Sequence, residues 1–191
     1  MLGRAADHAA PGRLDFVAGD IASWRPEAAV DVLFSNAALQ WVDGHLDLLG
    51  PLASTLAPGG WLAFQVPGNF GAPSHTLLAD LRRSARWRDQ LGDGAVRLGS
   101  HDPAVYLDRL ARLGARVDAW ETTYLHVLSG DDPVLEWVKG TALRPVLAQL
   151  DEADAGEFLA EYGALLREAY PRRDYGTVLE FRRIFVVAHF G

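Results

Sequence analysis

The segment AAVDVLFSN, residues 28–36, is apolar along almost its whole length and then stops at Ser35-Asn36. Such a run reads as a strand of a parallel sheet covered on both faces. WLAFQVPGN (61–69) and RRIFVVAHF (182–190) repeat the pattern, RLDFVAGD (13–20) is a shorter strand, and RVDAWETTYLHVL (116–128) a long strand of mixed patterning. Helical periodicity fills the intervals. Residues 2–10 read as the tail of a helix closed by Pro11-Gly12, and residues 45–60 place Leu46, Leu49, Leu52 and Leu56 near helical spacing before Pro58-Gly59-Gly60. Residues 74–91 are amphipathic, with Leu77, Leu78, Leu81 and Ala85 on one face. Residues 101–114 carry Asp102 at the N-cap, Pro103 in the first turn and Gly114 past the end, and 132–170 are helical again. Strands alternating with helices predict an α/β layer fold, with ligands at the carboxyl ends of the parallel strands. Asp20, Asn36 and Gln65 to Asn69 lie at such ends.

Bulk properties narrow the function. A chain of 191 residues, 49% hydrophobic, forms one domain with a substantial core. The net charge of −7 argues against a nucleic-acid partner. With no cysteine there is no disulfide, thiolate nucleophile or cysteine-bound metal. No segment reaches the ~18 apolar residues of a membrane span, and MLGRAADHAA lacks the apolar region of a signal peptide, so a cytoplasmic location is the default. The six histidines show no metal-ligand spacing, Ser35 and Ser54 sit in no nucleophile elbow, and there is no P-loop. Arg82, Arg83, Arg86 and Arg88 read as a solvated helix face rather than a phosphate site.

Several separated blocks agree with one family in order. GDI after one strand, VLFSNAALQWV through the next, LAPGGWLAFQVPGN, and a helical segment before FRRIFVVA resemble a class I S-adenosylmethionine-dependent methyltransferase. NAALQW, FQVPGN followed by PSH, TTYLHVL, EWVKGTALRP and FRRIFVVA narrow the resemblance to the trans-aconitate 2-methyltransferases, over essentially the whole chain. The resemblance implies a Rossmann-like sheet of order 3-2-1-4-5-7-6 and residues 130–171 as a helical substrate-cap insertion within one domain, 1–191. It also implies S-adenosyl-L-methionine as cofactor. One departure is large. The glycine-rich loop after the family's first strand and the acidic residue after its second have no counterpart here. The first two strands are therefore expected to be absent, the chain beginning roughly 50 to 70 residues late. Met1 then reads as an internal methionine taken as a start, the alternative being a fragment completed by another chain. Either way the strand at 13–18 has no neighbour and the strand at 30–36 has one bare edge.

The resemblance also implies site residues. Asp20 would accept from the adenine amino group and Ile21 pack on its ring, unless Asp20 simply caps a turn. Asn36 and Ala37 would line the methionine end of the cofactor, with Gln40 and Trp41 beside them; Trp24 reads as packing only. A polycarboxylate acceptor needs cationic clamps, and arginine forks suit carboxylates. The candidates are His75, Tyr124, His126, Trp137, Arg144 and Arg183, the two arginines foremost. Surface ion pairs and structural histidines are the ordinary alternatives. Arg182, adjacent to Arg183 on a strand, points to the opposite face. An ionised carboxylate is already nucleophilic, so no general base is expected. The implied reaction is O-methylation of a small polycarboxylate, trans-aconitate first. Another small-molecule acceptor, an inactive fragment acting as an interaction module, and a nicotinamide-dependent oxidoreductase are the competing readings.

Overall fold

The computed structural model describes residues 5–10, 12–91 and 99–191. Its strands are β1 (Val30–Asn36), β2 (Leu56–Pro67), β3 (Arg116–Leu128), the two-residue β4 (Arg172–Arg173) and β5 (Gly176–His189). Its helices are α1 (His45–Ala53), α2 (Pro73–Arg83), α3 (Arg88–Leu91), α4 (Pro103–Arg112), α5 (Pro133–Lys139), α6 (Arg144–Leu147) and α7 (Glu152–Ala169). Ala6–His8 and Leu39–Trp41 form short 3-10 turns. Residues 2–4 and Pro11 of the predicted helix tail lie outside the described residues. No described helix is long and apolar enough to cross a membrane.

The sheet is mixed, in the order β1-β2-β5-β3, with β4 paired to β5. β1 and β2 run parallel from Val32 opposite Trp61 to Asn36 opposite Gln65, joined by α1 as a crossover. β5 lies antiparallel between β2 and β3, its residue Arg183 opposite Pro67 on one side and Thr122 on the other. The order matches the last four strands of the expected 3-2-1-4-5-7-6 sheet.

Several expectations are corrected. Residues 13–20 are not a strand: Leu14 makes one isolated bridge to Ala10, and the rest is irregular. A strand needs a ladder partner for its backbone, and none flanks this segment among the described residues; Phe16 and Val17 are 42% and 76% exposed. β1 forms but is not covered on both faces. Leu33 and Ser35 face the core, while Val32 and Phe34 are 59% and 71% exposed on an edge strand. The helix at 45–60 ends at Ala53, because the N–H and hydroxyl of Thr55 both donate to the Leu52 carbonyl while the Val30 N–H donates to Thr55. Pro58-Gly59-Gly60 lies inside β2, at the bulge between Val30 and Val32 in the β1–β2 register. A Cβ on Gly60 would meet the Ala57 carbonyl at 2.8 Å, so only glycine fits. The helix at 74–91 breaks at Ser84, and the strand at 182–190 begins at Gly176, since β3 offers it a partner along its full length. Asp102 occupies the N-cap position of α4 without capping it; its carboxylate pairs with Arg182 instead.

Two clusters hold the molecule together. Leu62, Phe64, Val66, Ile184, Val186 and Ala188 cover one face of the sheet and meet Leu49 and Leu52 of α1 and Tyr106 and Leu110 of α4. A separate helical lobe packs α2, α5, α6 and α7 around Trp87, Phe158 and Tyr162. Trp87 meets Phe158 edge-on at 5.2 Å, and its indole N–H donates to Glu161 at 3.0 Å, which satisfies the one polar atom the ring buries. Phe158 is fully buried, so Phe158→Ala is expected to cost about 3–5 kcal/mol. Val17→Ala, in the segment that sequence alone assigns to a strand, should change stability by less than about 0.5 kcal/mol. Urea titration of both variants measures the difference.

Candidate functional site

The carboxyl ends of β1 and β2 open onto a cavity of about 460 Å³, within the usual range for a small-molecule site. Its near wall is the turn after β1. Ala37 adopts φ 50, unusual for a residue with a Cβ, and its N–H donates to the Gln65 carbonyl at 2.9 Å. This reversal throws Gln40 and Trp41 against the cavity. Gln40 is buried, its Nε2 donating to the Ala37 carbonyl at 2.8 Å while its Oε1 has no partner. Trp41 is half exposed.

The floor comes from β2 and β5. Gln65 is 4% exposed, and its Oε1 accepts from Arg183 Nη1 at 3.2 Å. The buried Asn69 accepts the Arg182 backbone N–H at 2.6 Å, and the Gly68 N–H donates to the Arg182 carbonyl at 2.9 Å, tying the end of β2 to β5. Arg183 lies 5.0 Å over the Phe181 ring and 5.8 Å from that of Tyr124 and pairs with no carboxylate among the described residues. Arg182 points to the opposite face, as strand alternation requires, and pairs with Glu121 and Asp102. Hydrogen bonds to those two carboxylates hold its pKa above the ordinary arginine value.

The far wall is helical. Phe70 ahead of α2, Ser74 and His75 in its first turn, Trp137 and Val138 of α5, and Thr141 and Ala142 after it form this side, and Leu179, Glu180 and Phe181 of β5 also line the cavity. The first turn of α2 is fixed from α7: the Tyr162 phenol donates to the Ser74 carbonyl, and the Ser74 N–H donates to Tyr170 at 3.0 Å. Burial lowers the pKa of His75, whose ring lies 5.3 Å from Phe70.

Of the residues singled out from sequence, Ala37, Gln40, Trp41, His75, Trp137 and Arg183 line this cavity together. Tyr124 and His126 are not among the lining residues; the His126 ring lies 5.0 Å from Trp137 and 6.0 Å from Phe181, both of which are. Asn36 is exposed at the end of β1. Asp20 lies outside the cavity, its carboxylate accepting the Ala22 N–H at 2.9 Å in a local turn, and Ile21 packs on the sheet core. Trp24 is 38% exposed and lies against Gly19. Arg144 opens α6, is exposed, and is not among the lining residues. Gln65 and Asn69, which the sequence placed at a strand's carboxyl end without a role, and Phe70 and Phe181, which it did not single out, also line the cavity. A glutamine inside the otherwise apolar run WLAFQVP was the available signal for the first of them. Among the described residues no cluster of histidine and acidic side chains could hold a metal ion.

Behind the near wall is a second buried network. His45, 3% exposed, places Nε2 at 2.8 Å from the phenol of the fully buried Tyr106, which also accepts the His101 N–H at 3.1 Å. Burial pushes the Tyr106 phenol up to about 12. Burial, and secondarily the His101 ring, lower the pKa of His45.

Comparison with known proteins places the geometry in a family context. The chain is 56% identical to the trans-aconitate 2-methyltransferase of Streptomyces avermitilis, over 99% of this chain and 72% of that protein. It is 52% identical to the protein of the same name from Streptomyces coelicolor, over 98% of this chain and 64% of that one. Among solved structures it superposes on the YcgJ protein of Bacillus subtilis with a TM-score of 0.52 at 12% identity, over 90% of this chain and 68% of the other, a likeness of fold. No family model matches the chain.

The two lowered histidines give stability a pH dependence. A histidine kept neutral by the fold binds fewer protons there than in the unfolded chain. Its contribution is present above the ordinary value of 6.5 and is lost as pH falls from there through the lowered folded value. Melting temperature is therefore expected to fall on acidification below that value, and His45→Gln to flatten the slope. An unchanged slope in that variant would contradict the assignment to His45.

Proposed function

The chain belongs to the trans-aconitate 2-methyltransferase family, and we propose that its cleft methylates a carboxylate of trans-aconitate, giving a monomethyl ester. The observation that carries this reading is Arg183. It is a cation without a carboxylate partner among the described residues, facing an aromatic-lined cavity in a protein of this family. Its planar fork matches a carboxylate, and the Phe181 and Tyr124 rings limit its hydration without neutralising it.

A carboxylate is ionised at neutral pH and needs no general base. The residues therefore position and desolvate. Arg183 orients the acceptor, and Phe70, Trp137 and Phe181 exclude water from it. The helical segment 130–171 serves as the cap on the acceptor side, through Trp137, Val138, Thr141 and Ala142. S-adenosylmethionine, when bound, supplies an electrophilic methyl group on a sulfonium. The near wall fits its amino-acid end: Gln40 brings a buried Oε1 with no partner, an acceptor suited to an ammonium, and the small side chains of Ala37 and Ala38 leave space. Asn36 and Trp41 flank that end. Asp20 and Ile21, outside the cavity, would contact the adenine only across the open edge of β1.

Transfer of radiolabel from S-adenosylmethionine to a panel of carboxylates tests the reading, with trans-aconitate expected to be labelled first. Label on a hydroxyl acceptor and on no carboxylate would assign a different acceptor. Arg183→Ala removes a charge-assisted contact and is expected to raise KM for trans-aconitate by about 10- to 100-fold. Arg144→Ala, outside the cavity, is expected to change it by less than about twofold.

A further inference from the structure

Gln65 is the least expected residue in the cleft. It sits on β2 between Phe64 and Val66, both buried in the sheet core, yet its own side chain turns to the cavity and is 4% exposed. A guanidinium has donors only, so the end of the carboxamide that meets Arg183 Nη1 at 3.2 Å must be Oε1. That bond fixes the amide's orientation. The other end is then Nε2, which carries two N–H donors and has no hydrogen-bond partner. The main chain of Gln65 makes no demand on it, since its carbonyl already accepts from Ala37.

We infer that Gln65 is a substrate-binding and specificity-determining residue, its Nε2 donating to the same carboxylate that Arg183 orients. The pair presents donors only: the remaining guanidinium N–H groups and the amide N–H₂. A carboxylate, which only accepts, satisfies both. A carboxamide offers one acceptor oxygen and sets its own N–H₂ against the second donor, and an ammonium offers no acceptor at all, so the pair selects a carboxylate, with two accepting oxygens, over both. The aromatic side chains nearby, Phe70, Trp137 and Phe181, offer no competing hydrogen bond of comparable strength. Arg183 keeps its orientation through the Oε1 contact, so Gln65 both binds the acceptor and holds the cation that binds it.

This inference rests on the carboxylate-acceptor reading, and the test separates the two. Calorimetry with trans-aconitate in the presence of S-adenosylhomocysteine is run on the wild-type protein, Gln65→Met and Gln65→Glu. Gln65→Met keeps the length and loses the donor; it is expected to weaken trans-aconitate binding by about 10- to 100-fold, the weight of one hydrogen bond to a charged group. Gln65→Glu adds a carboxylate that pairs with Arg183 and repels the ligand, so its loss should be larger. In both, affinity for S-adenosylhomocysteine alone should stay within about twofold. Melting curves check the fold, and if one variant fails to fold the other carries the comparison. Unchanged trans-aconitate affinity in the folded variants overturns the role of Gln65 while leaving the acceptor intact. Equal losses for both ligands overturn it by making Gln65 merely structural. Absence of trans-aconitate binding by the wild-type protein overturns the acceptor reading, and this inference with it.

Discussion

The cleft depends on the antiparallel seating of β5 between β2 and β3. That pairing sets Arg183 opposite Pro67 on one side and Thr122 on the other, and so brings a residue near the end of the chain to the carboxyl ends of β1 and β2. The side-chain period of a strand is two residues, so a slip of one would exchange Arg183 for Arg182 in the cavity. Two contacts hold the register at that point. The Asn69 Oδ1 accepts the Arg182 N–H, and the Gly68 N–H donates to the Arg182 carbonyl. A Cβ on Gly68 would approach Arg182 Cγ and Ile184 Cδ1 at 3.1 Å, so the close approach favours a glycine there.

The neighbouring arginines show how environment divides one side-chain type between two jobs. Arg182 is bracketed by Glu121 and Asp102 and binds β5 to β3 and to the start of α4. Arg183, one residue later, meets aromatic faces and a neutral amide. The charge of the first is balanced by the protein's own carboxylates, and that of the second has no carboxylate partner among the described residues and faces the cavity. The two lobes meet the cavity from opposite sides: the sheet core holds the Gln40 wall through Leu39, and the helical lobe holds His75 through Tyr162 and Tyr170.

The face of the sheet opposite α1 and α4 carries Val32, Phe34, Trp61 and Trp120, which are 59%, 71%, 39% and 41% exposed. Trp120 stacks on Phe185 at 5.3 Å with an interplanar angle of 11°, and Trp61 lies 4.4 Å from His189, so cross-strand pairs supply the contacts that a covering layer would. The apolar run that predicts a fully buried strand at β1 is thus accurate about composition and wrong about cover. The same cause turns residues 13–20 from a strand into irregular chain: apolar alternation proposes a strand, and a neighbouring backbone has to accept it.

The sequence by itself determined the α/β class, the positions of most helices and strands, the methyltransferase resemblance and the opposite facing of Arg182 and Arg183. Each follows from local periodicity, from local turn chemistry or from motif blocks that agree in order. It also located Ala37, Gln40 and Trp41 at a strand end. Only the tertiary structure decided which residues share the cavity. Gln65 meets Arg183 across more than a hundred residues of chain, at a distance set by strand register. Arg144, exposed at the start of α6, is not among the lining residues, although nothing in TALRP distinguishes it from an arginine that faces a ligand. Residue type and spacing fix what a side chain can bind. The packing of one strand between two others fixes what lies beside it.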